Sequence, residues 1–191
     1  GVHYFNPQMD FFRHYSEDAD RTDCLSFFFV GNMVEDKRGD IWICTEGGGL
    51  NYLNRETRQF THYLTEGQSS DLSFYNLKCI EYDSIRDCIY VGTHKQGFFC
   101  FDIPTRKIKY HTKETGTSLS KITLQGDSLY ILSSNGLFVK DLKTGTTGYL
   151  YPSIRETHGA GTSFLIDSRD YIWIAQRDRI IRINMKNPEE K

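Results

Sequence analysis

Three pairs of carboxylates have the spacing of candidate acid–base residues: Asp36 with Asp40, Asp83 with Asp87, and Asp167 with Asp170. Two carboxylates facing one bond are the equipment of glycoside hydrolysis, one as acid and one as base or nucleophile. Each pair, however, sits just ahead of a corresponding apolar run, at Ile41-Trp42-Ile43, Ile89-Tyr90-Val91 and Ile172-Trp173-Ile174. A pair that recurs at equivalent places reads first as a turn and second as a catalyst. Histidines occur at 3, 14, 62, 94, 111 and 158, and His14 and His62 occupy one position of successive repeats. That placement favours a structural or surface role over metal binding. Glu17, Asp18, Asp20 and Asp23 form an acidic loop without the alternating register of a calcium loop. The five cysteines, at 24, 44, 79, 88 and 100, show no CxxC or zinc spacing. Four of them lie in strand patterns, where a thiol behaves as a small apolar residue, and their use leans towards a reducing compartment. Nucleophile-elbow, phosphate-loop, HExxH and dinucleotide motifs are all missing. No catalytic residue, metal or cofactor is therefore expected, and without kinase motifs this segment phosphorylates nothing.

The elements that must position these residues repeat. Asp36-Lys37-Arg38-Gly39-Asp40-Ile41-Trp42-Ile43-Cys44-Thr45 is followed by Gly48-Gly49-Leu50-Asn51-Tyr52-Leu53 and then by Thr57-Arg58-Gln59-Phe60-Thr61-His62-Tyr63. Looser copies run from Asp83, from Gly126 and from Asp167. The anchor residue steps from Trp42 to Tyr90 to Tyr130 to Trp173, by 48, 40 and 43 positions. A period in that range, filled with short strands, is the mark of a β-propeller blade. In the first full blade the four strands A to D are expected at 27–35, 40–45, 50–53 and 59–63, in an all-β chain of four-stranded antiparallel blades. Residues 4–15 align with Tyr52–Tyr63 at five identical positions of twelve. One propeller segment is therefore expected over 1–191, with a blade end at 1–16, full blades at 22–64, 70–112 and 113–151, and an incomplete blade at 160–185. Residues 11–16 could close a ring of four blades, or the chain could be an arc of a larger ring; the arc is preferred.

Ligands of propellers gather where the D–A and B–C connections meet. The B–C turns carry Glu46, His94, Lys95, Gln96, Asn135, Arg177 and Asp178. They differ from blade to blade while the A–B turns stay alike, which is the pattern of a binding face on a constant scaffold. Glu46, His94, Gln96, Asn135 and Arg177 are taken as candidate ligand contacts. Tyr75, with Phe74 beside it, is the candidate aromatic platform for a sugar. Trp42, Tyr90, Tyr130 and Trp173 are taken as structural anchors.

Charge narrows the partners. Lys and Arg number 23 against 25 Asp and Glu, a net charge of −2, so no basic field draws nucleic acid. The longest apolar run, Phe27-Phe28-Phe29-Val30, is too short to span a bilayer.

The run Asp36 to Tyr63, with the pattern Asp-x-x-Gly-Asp-Ile-Trp-Ile-x-Thr-x-x-Gly-Gly-Leu-Asn-Tyr, resembles the two-component regulator propeller repeat, and Asp167 to Ile174 resembles it too. The resemblance implies a periplasmic sensor region of a hybrid two-component system, of the kind common in Bacteroides. It implies an oligosaccharide or other small molecule as ligand, breakdown products of polysaccharides as the signal, and control of the genes that use them. It also implies neighbouring blades of a parent chain as partners. Exposed strand edges imply association into a homodimer. Two rival readings stay open: a propeller hydrolase or lyase acting on glycans, and a scaffold for protein contacts.

Overall fold

The computed structural model describes residues 14–18, 21, 23–65, 76–152 and 161–187. Among the described residues fifteen strands follow one another, with no helix. They are β1 (Val30–Glu35), β2 (Ile41–Thr45), β3 (Gly49–Leu53), β4 (Phe60–Tyr63), β5 (Leu77–Asp83), β6 (Cys88–Thr93), β7 (Phe98–Asp102) and β8 (Lys107–Thr112). Then come β9 (Leu119–Gln125), β10 (Ser128–Ser133), β11 (Gly136–Asp141), β12 (Thr147–Pro152), β13 (Ser163–Ile166), β14 (Tyr171–Ala175) and β15 (Ile180–Asn184). They form three sheets of four strands and one of three, each antiparallel with sequential neighbours paired. The first strands lie side by side: β1 against β5, β5 against β9, and β9 against β13. Four blades are thus stacked with their A strands at the inner edge. The first blade's A strand begins at Val30 and not at residue 27, and Phe28 and Phe29 before it are exposed. The expected fourth strand over 11–16 lies largely outside the described residues, and among those described β15 pairs only with β14.

The turns follow from short polar side chains that satisfy backbone donors. Asp36 Oδ1 accepts from the Arg38 and Asp40 amides at 2.8 and 3.3 Å, and Gly39 takes the left-handed conformation at φ 82°. Asp83 Oδ1 does the same for Ile85 and Arg86, and Asp167 Oδ1 for Arg169 and Tyr171. In the C–D turns, Asn54, Asp102 and Asp141 accept the amides of Thr57, Thr105 and Thr144. Four positions later Arg58, Arg106 and Gly145 adopt positive φ of 62°, 59° and 78°. Asp36, Asp83 and Asp167, the first members of the carboxylate pairs, are therefore hubs of the turns. Asp36 Oδ2 is further engaged by the Arg38 guanidinium and by Trp42 Nε1, and Asp40 accepts from the Tyr52 hydroxyl and the Arg55 amide.

Side chains alternate across each strand, and in the inner strands both faces are apolar because a blade covers each side. Trp42, Cys44 and Leu50 of the first sheet pack onto Ile80, Ile89, Val91, Phe99, Phe101 and Ile103 of the second. Tyr90, Cys79 and Cys100 pack onto Leu119, Ile122, Leu129 and Ile131 of the third. Tyr130, Leu132 and Leu137 pack onto Phe164, Ile172, Ile174 and Ile183 of the fourth. All five cysteines are buried free thiols, and four of them, Cys44, Cys79, Cys88 and Cys100, lie in this packing.

Trp42 is wholly buried, with ring centroids of Tyr52, Tyr63 and Phe101 at 4.8, 5.8 and 5.7 Å. Truncating such a residue removes transfer energy and leaves a cavity, so Trp42→Ala is expected to destabilise by about 3–5 kcal/mol. Trp42→Phe loses less packing but leaves Asp36 one donor short. Denaturant melts that place both variants at the parent midpoint would refute the inter-blade assignment. Acid acts on the turns. The Lys109 ammonium and the Thr105 hydroxyl draw Asp102 down to about 2 from its ordinary 3.8. Burial opposes the charge of Asp36, but hydrogen bonds from Arg38 and Trp42 outweigh it and hold the carboxyl below its ordinary value. Both folded values lie below the unfolded ones, so this stabilisation is complete above the ordinary value and fades as pH falls through the folded one. Asp102→Asn should therefore flatten the loss of thermal midpoint between pH 3.8 and about 2; an unaltered acid limb would refute the linkage.

Candidate ligand-binding rim

Antiparallel order sends the A–B and C–D turns to one end of every blade and the B–C turns with the D–A connections to the other. The second end is built across blade boundaries. Glu46, in the turn between β2 and β3, bridges to Asn76 just before β5, and its carboxylate meets Lys78 Nζ of the second blade at 2.7 Å. The His94 amide donates to the Asn76 carbonyl at 3.1 Å, and the Gln96 amide donates to Thr93 Oγ1 at 2.7 Å. Gly97 donates to the Thr117 carbonyl, which ties the second blade's turn to the connection entering the third. The Ser134 amide in turn donates to the Ser118 carbonyl at 2.9 Å.

Glu46, His94 and Gln96 are thereby brought to one stretch of rim. Asn135 lies in the next turn, its amide held by Ser133 Oγ and its carbonyl by the Tyr149 hydroxyl. Arg177 stands exposed in the turn between β14 and β15, at the same end of the fourth blade. Tyr75 and Phe74 lie outside the described residues. The histidines of the D strands serve backbone groups: His62 Nε2 contacts the Cys24 carbonyl at 2.6 Å, and His111 Nε2 contacts that of Gln96.

Buried polar groups are nearly always paired. At this rim several are not. Asn76 Oδ1, His94 Nδ1, Gln96 Oε1 and Thr115 Oγ1 are shielded from solvent and find no hydrogen-bond partner among the described residues. At the opposite rim the leading aspartates accept from turn amides, and pairs such as Lys37–Asp87 and Arg86–Asp127 cross between blades, while Arg106 Nη1 is likewise buried without an acceptor among the described residues. Unmet amide, imidazole and hydroxyl groups beside a Glu46–Lys78 ion pair suit a ligand rich in hydroxyl groups. Asn76, Lys78 and Thr115 did not emerge from the sequence. Lys78 reads as an ordinary strand residue, and Thr115 becomes distinctive only through its complete burial.

No protein-family profile matches the sequence, and neither does any curated protein. Solved structures do. The extracellular domain described as that of the hybrid two-component system BT3049 of B. thetaiotaomicron superposes with a TM-score of 0.76 at 19% identity, over 91% of this chain and 23% of the other. The corresponding domain of BT4673 from the same organism gives 0.70 at 20%, over 92% and 25%. The likeness is one of fold: stacked propeller blades. The WD40 repeats of RRP9 superpose as well, at 0.68 and 12% identity, over 84% of this chain and 49% of that one. This chain thus spans about a quarter of the length of the extracellular domains it matches.

An unpaired buried hydroxyl costs about 1–3 kcal/mol. Thr115→Val keeps the shape and removes the unmet group, so it is expected to raise the denaturant midpoint. A clear fall would mean that the hydroxyl is already satisfied.

Proposed function

We propose that this chain is the ligand-sensing, periplasmic part of a two-component sensor, and that its ligand is an oligosaccharide released by polysaccharide breakdown. The observation that carries the reading is the fold shared over nine-tenths of the chain with extracellular domains of Bacteroides two-component systems. The repeat pattern from Asp36 to Tyr63 supports it, as do the unmet polar groups of the rim. In this reading His94, Gln96 and Asn76 bind the hydroxyls of a neutral sugar, with Glu46, Asn135 and Arg177 at its margins. A ligand held by groups from adjacent blades would stiffen their junction, and the parent protein would read that as a rigid-body shift. The kinase and the control of utilisation genes belong to that parent.

The segment itself acts without catalysis in this proposal, because the leading aspartate of each pair, Asp36, Asp83 and Asp167, is committed to turn amides and to the indole or hydroxyl of its anchor ring. The test is a thermal-shift and calorimetric screen of defined oligosaccharides, each also checked for cleavage. One ligand should stabilise the chain by about 2.7 kcal/mol at a hundred times its dissociation constant and be recovered intact. Loss of one hydrogen bond worth about 1.4 kcal/mol is tenfold in affinity, so His94→Ala and Gln96→Ala should each weaken binding roughly tenfold. Cleavage of the glycan would replace the sensor by an enzyme. Binding indifferent to both substitutions would move the site elsewhere.

A further inference from the structure

Of the apolar run Phe27-Phe28-Phe29-Val30, only Val30 enters a strand. Phe28 and Phe29 are 70 and 54% exposed. Apolar residues scattered singly over a surface need no explanation, but adjacent aromatics rimmed by polar groups mark a contact site. The run is also held firmly. Before it, the Cys24 carbonyl meets His62 Nε2 at 2.6 Å, the Ser26 amide donates to Asn51 Oδ1 at 2.8 Å, and Ser26 Oγ donates to the Gly48 carbonyl at 2.7 Å. At its end, the Glu46 amide donates to the Phe29 carbonyl at 2.9 Å. The Phe27 ring lies on the turn between β2 and β3, so close that a Cβ on Gly47 would stand 2.7 Å from it. Phe28 stacks on Phe27, with ring centroids 4.5 Å apart and planes 30° from parallel. Turn glycine, Phe27 and Phe28 thus form successive layers, and the outermost ring is open to solvent. A ring fixed in this way loses little freedom when a ligand lies on it.

The stack is continuous with the rim of unmet polar groups. Phe29 is bonded to Glu46, Glu46 is bridged to Asn76, and the Asn76 carbonyl accepts from the His94 amide. The face of an aromatic ring is electronegative and draws weakly positive hydrogens. A gluco- or galacto-configured pyranose offers the two surfaces that this arrangement meets. Axial C–H bonds cover one face of the sugar, and hydroxyls surround its edge. A furanose has no such face.

We propose that Phe28 is the stacking platform of the rim. A gluco- or galacto-configured pyranose of the ligand lies on it by its C–H face and turns its edge hydroxyls towards Asn76, His94 and Gln96. This rests on the sensor reading above and names the sugar class that the reading leaves open. It puts the platform at the entry of the first blade, apart from Tyr75, which lies outside the described residues.

Isothermal titration of this chain tests the proposal, with cello-, malto- and galacto-oligosaccharides as pyranose probes and fructo-oligosaccharides as the furanose control. At least one pyranose probe should bind, and the furanose control should not. Phe28→Ala should weaken that binding about tenfold. Phe28→Tyr keeps a ring face and should bind as the parent does. Phe28→Leu keeps apolar area without a ring face and should lose as much as alanine. Because Phe28 is exposed, each variant should melt with the parent chain. The platform alone is overturned, and the sensor reading survives, if a saccharide binds with a dependence on His94 but none on Phe28. The same holds if Phe28→Leu binds like the parent, or if the furanose is the ligand. If no probe of either kind binds, the oligosaccharide reading falls together with the platform. Self-association of the chain that Phe28→Ala abolishes would make a second copy the occupant and would overturn the platform as well.

Discussion

The structure depends on one ring in each of the first three blades, clamped between its own sheet and the next. Trp42 is fixed from its own side by the hydrogen bond to Asp36 and covered from the other by Phe101 and Arg106. Tyr90 repeats the first half of the clamp through Asp83 at 3.3 Å. A four-stranded sheet has two faces to bury and no helix here to cover either, so each blade depends on its neighbours. The aspartate links the local turn to the global packing. The same carboxylate shapes the A–B hairpin and aims the indole, so the hairpin cannot form in another register without misplacing the ring.

That constraint divides the two rims. At the A–B and C–D end the polar groups are spent on folding: aspartates on amides, basic side chains on the next blade's acids. At the B–C and D–A end the chain is freed from this duty, and Asn76, His94, Gln96 and Thr115 keep unmet hydrogen-bonding capacity. Such groups weigh against stability, and in the proposed reading a ligand completes those that it can reach. The proposed binding role fits this division, because Asp36, Asp83 and Asp167 lie at the end where they are held by turn amides.

Much of this was legible in the sequence, and for a definite reason. The spacing of Trp42, Tyr90, Tyr130 and Trp173, and the Asp-x-x-Gly-Asp pattern before the first of them, are local signals, and a blade is a local unit of short strands and tight turns. Pairing follows chain order within each sheet, so the topology needed no long-range information. The start of β1 was less legible. Phe27, Phe28 and Phe29 have strong strand propensity, but Val30 is the first residue to pair with β2, opposite Thr45.

The candidate site was legible only in part. The turns bearing Glu46, His94 and Gln96 could be placed at one end from strand order alone. That Asn76 and Lys78 join them, and that Thr115 is buried beyond reach of a partner, depends on how one blade's connection packs on the next. Arg106 teaches the same lesson. In sequence it is a turn residue like Arg58; only the stacking of the second sheet on the first makes it the cover of Trp42. What the sequence by itself determined was the repeat, its turns and its anchors, because these arise from interactions a few residues apart. What only the tertiary structure decided was which anchors are covered and which polar groups are left unmet, because both are set between blades, by residues tens of positions apart.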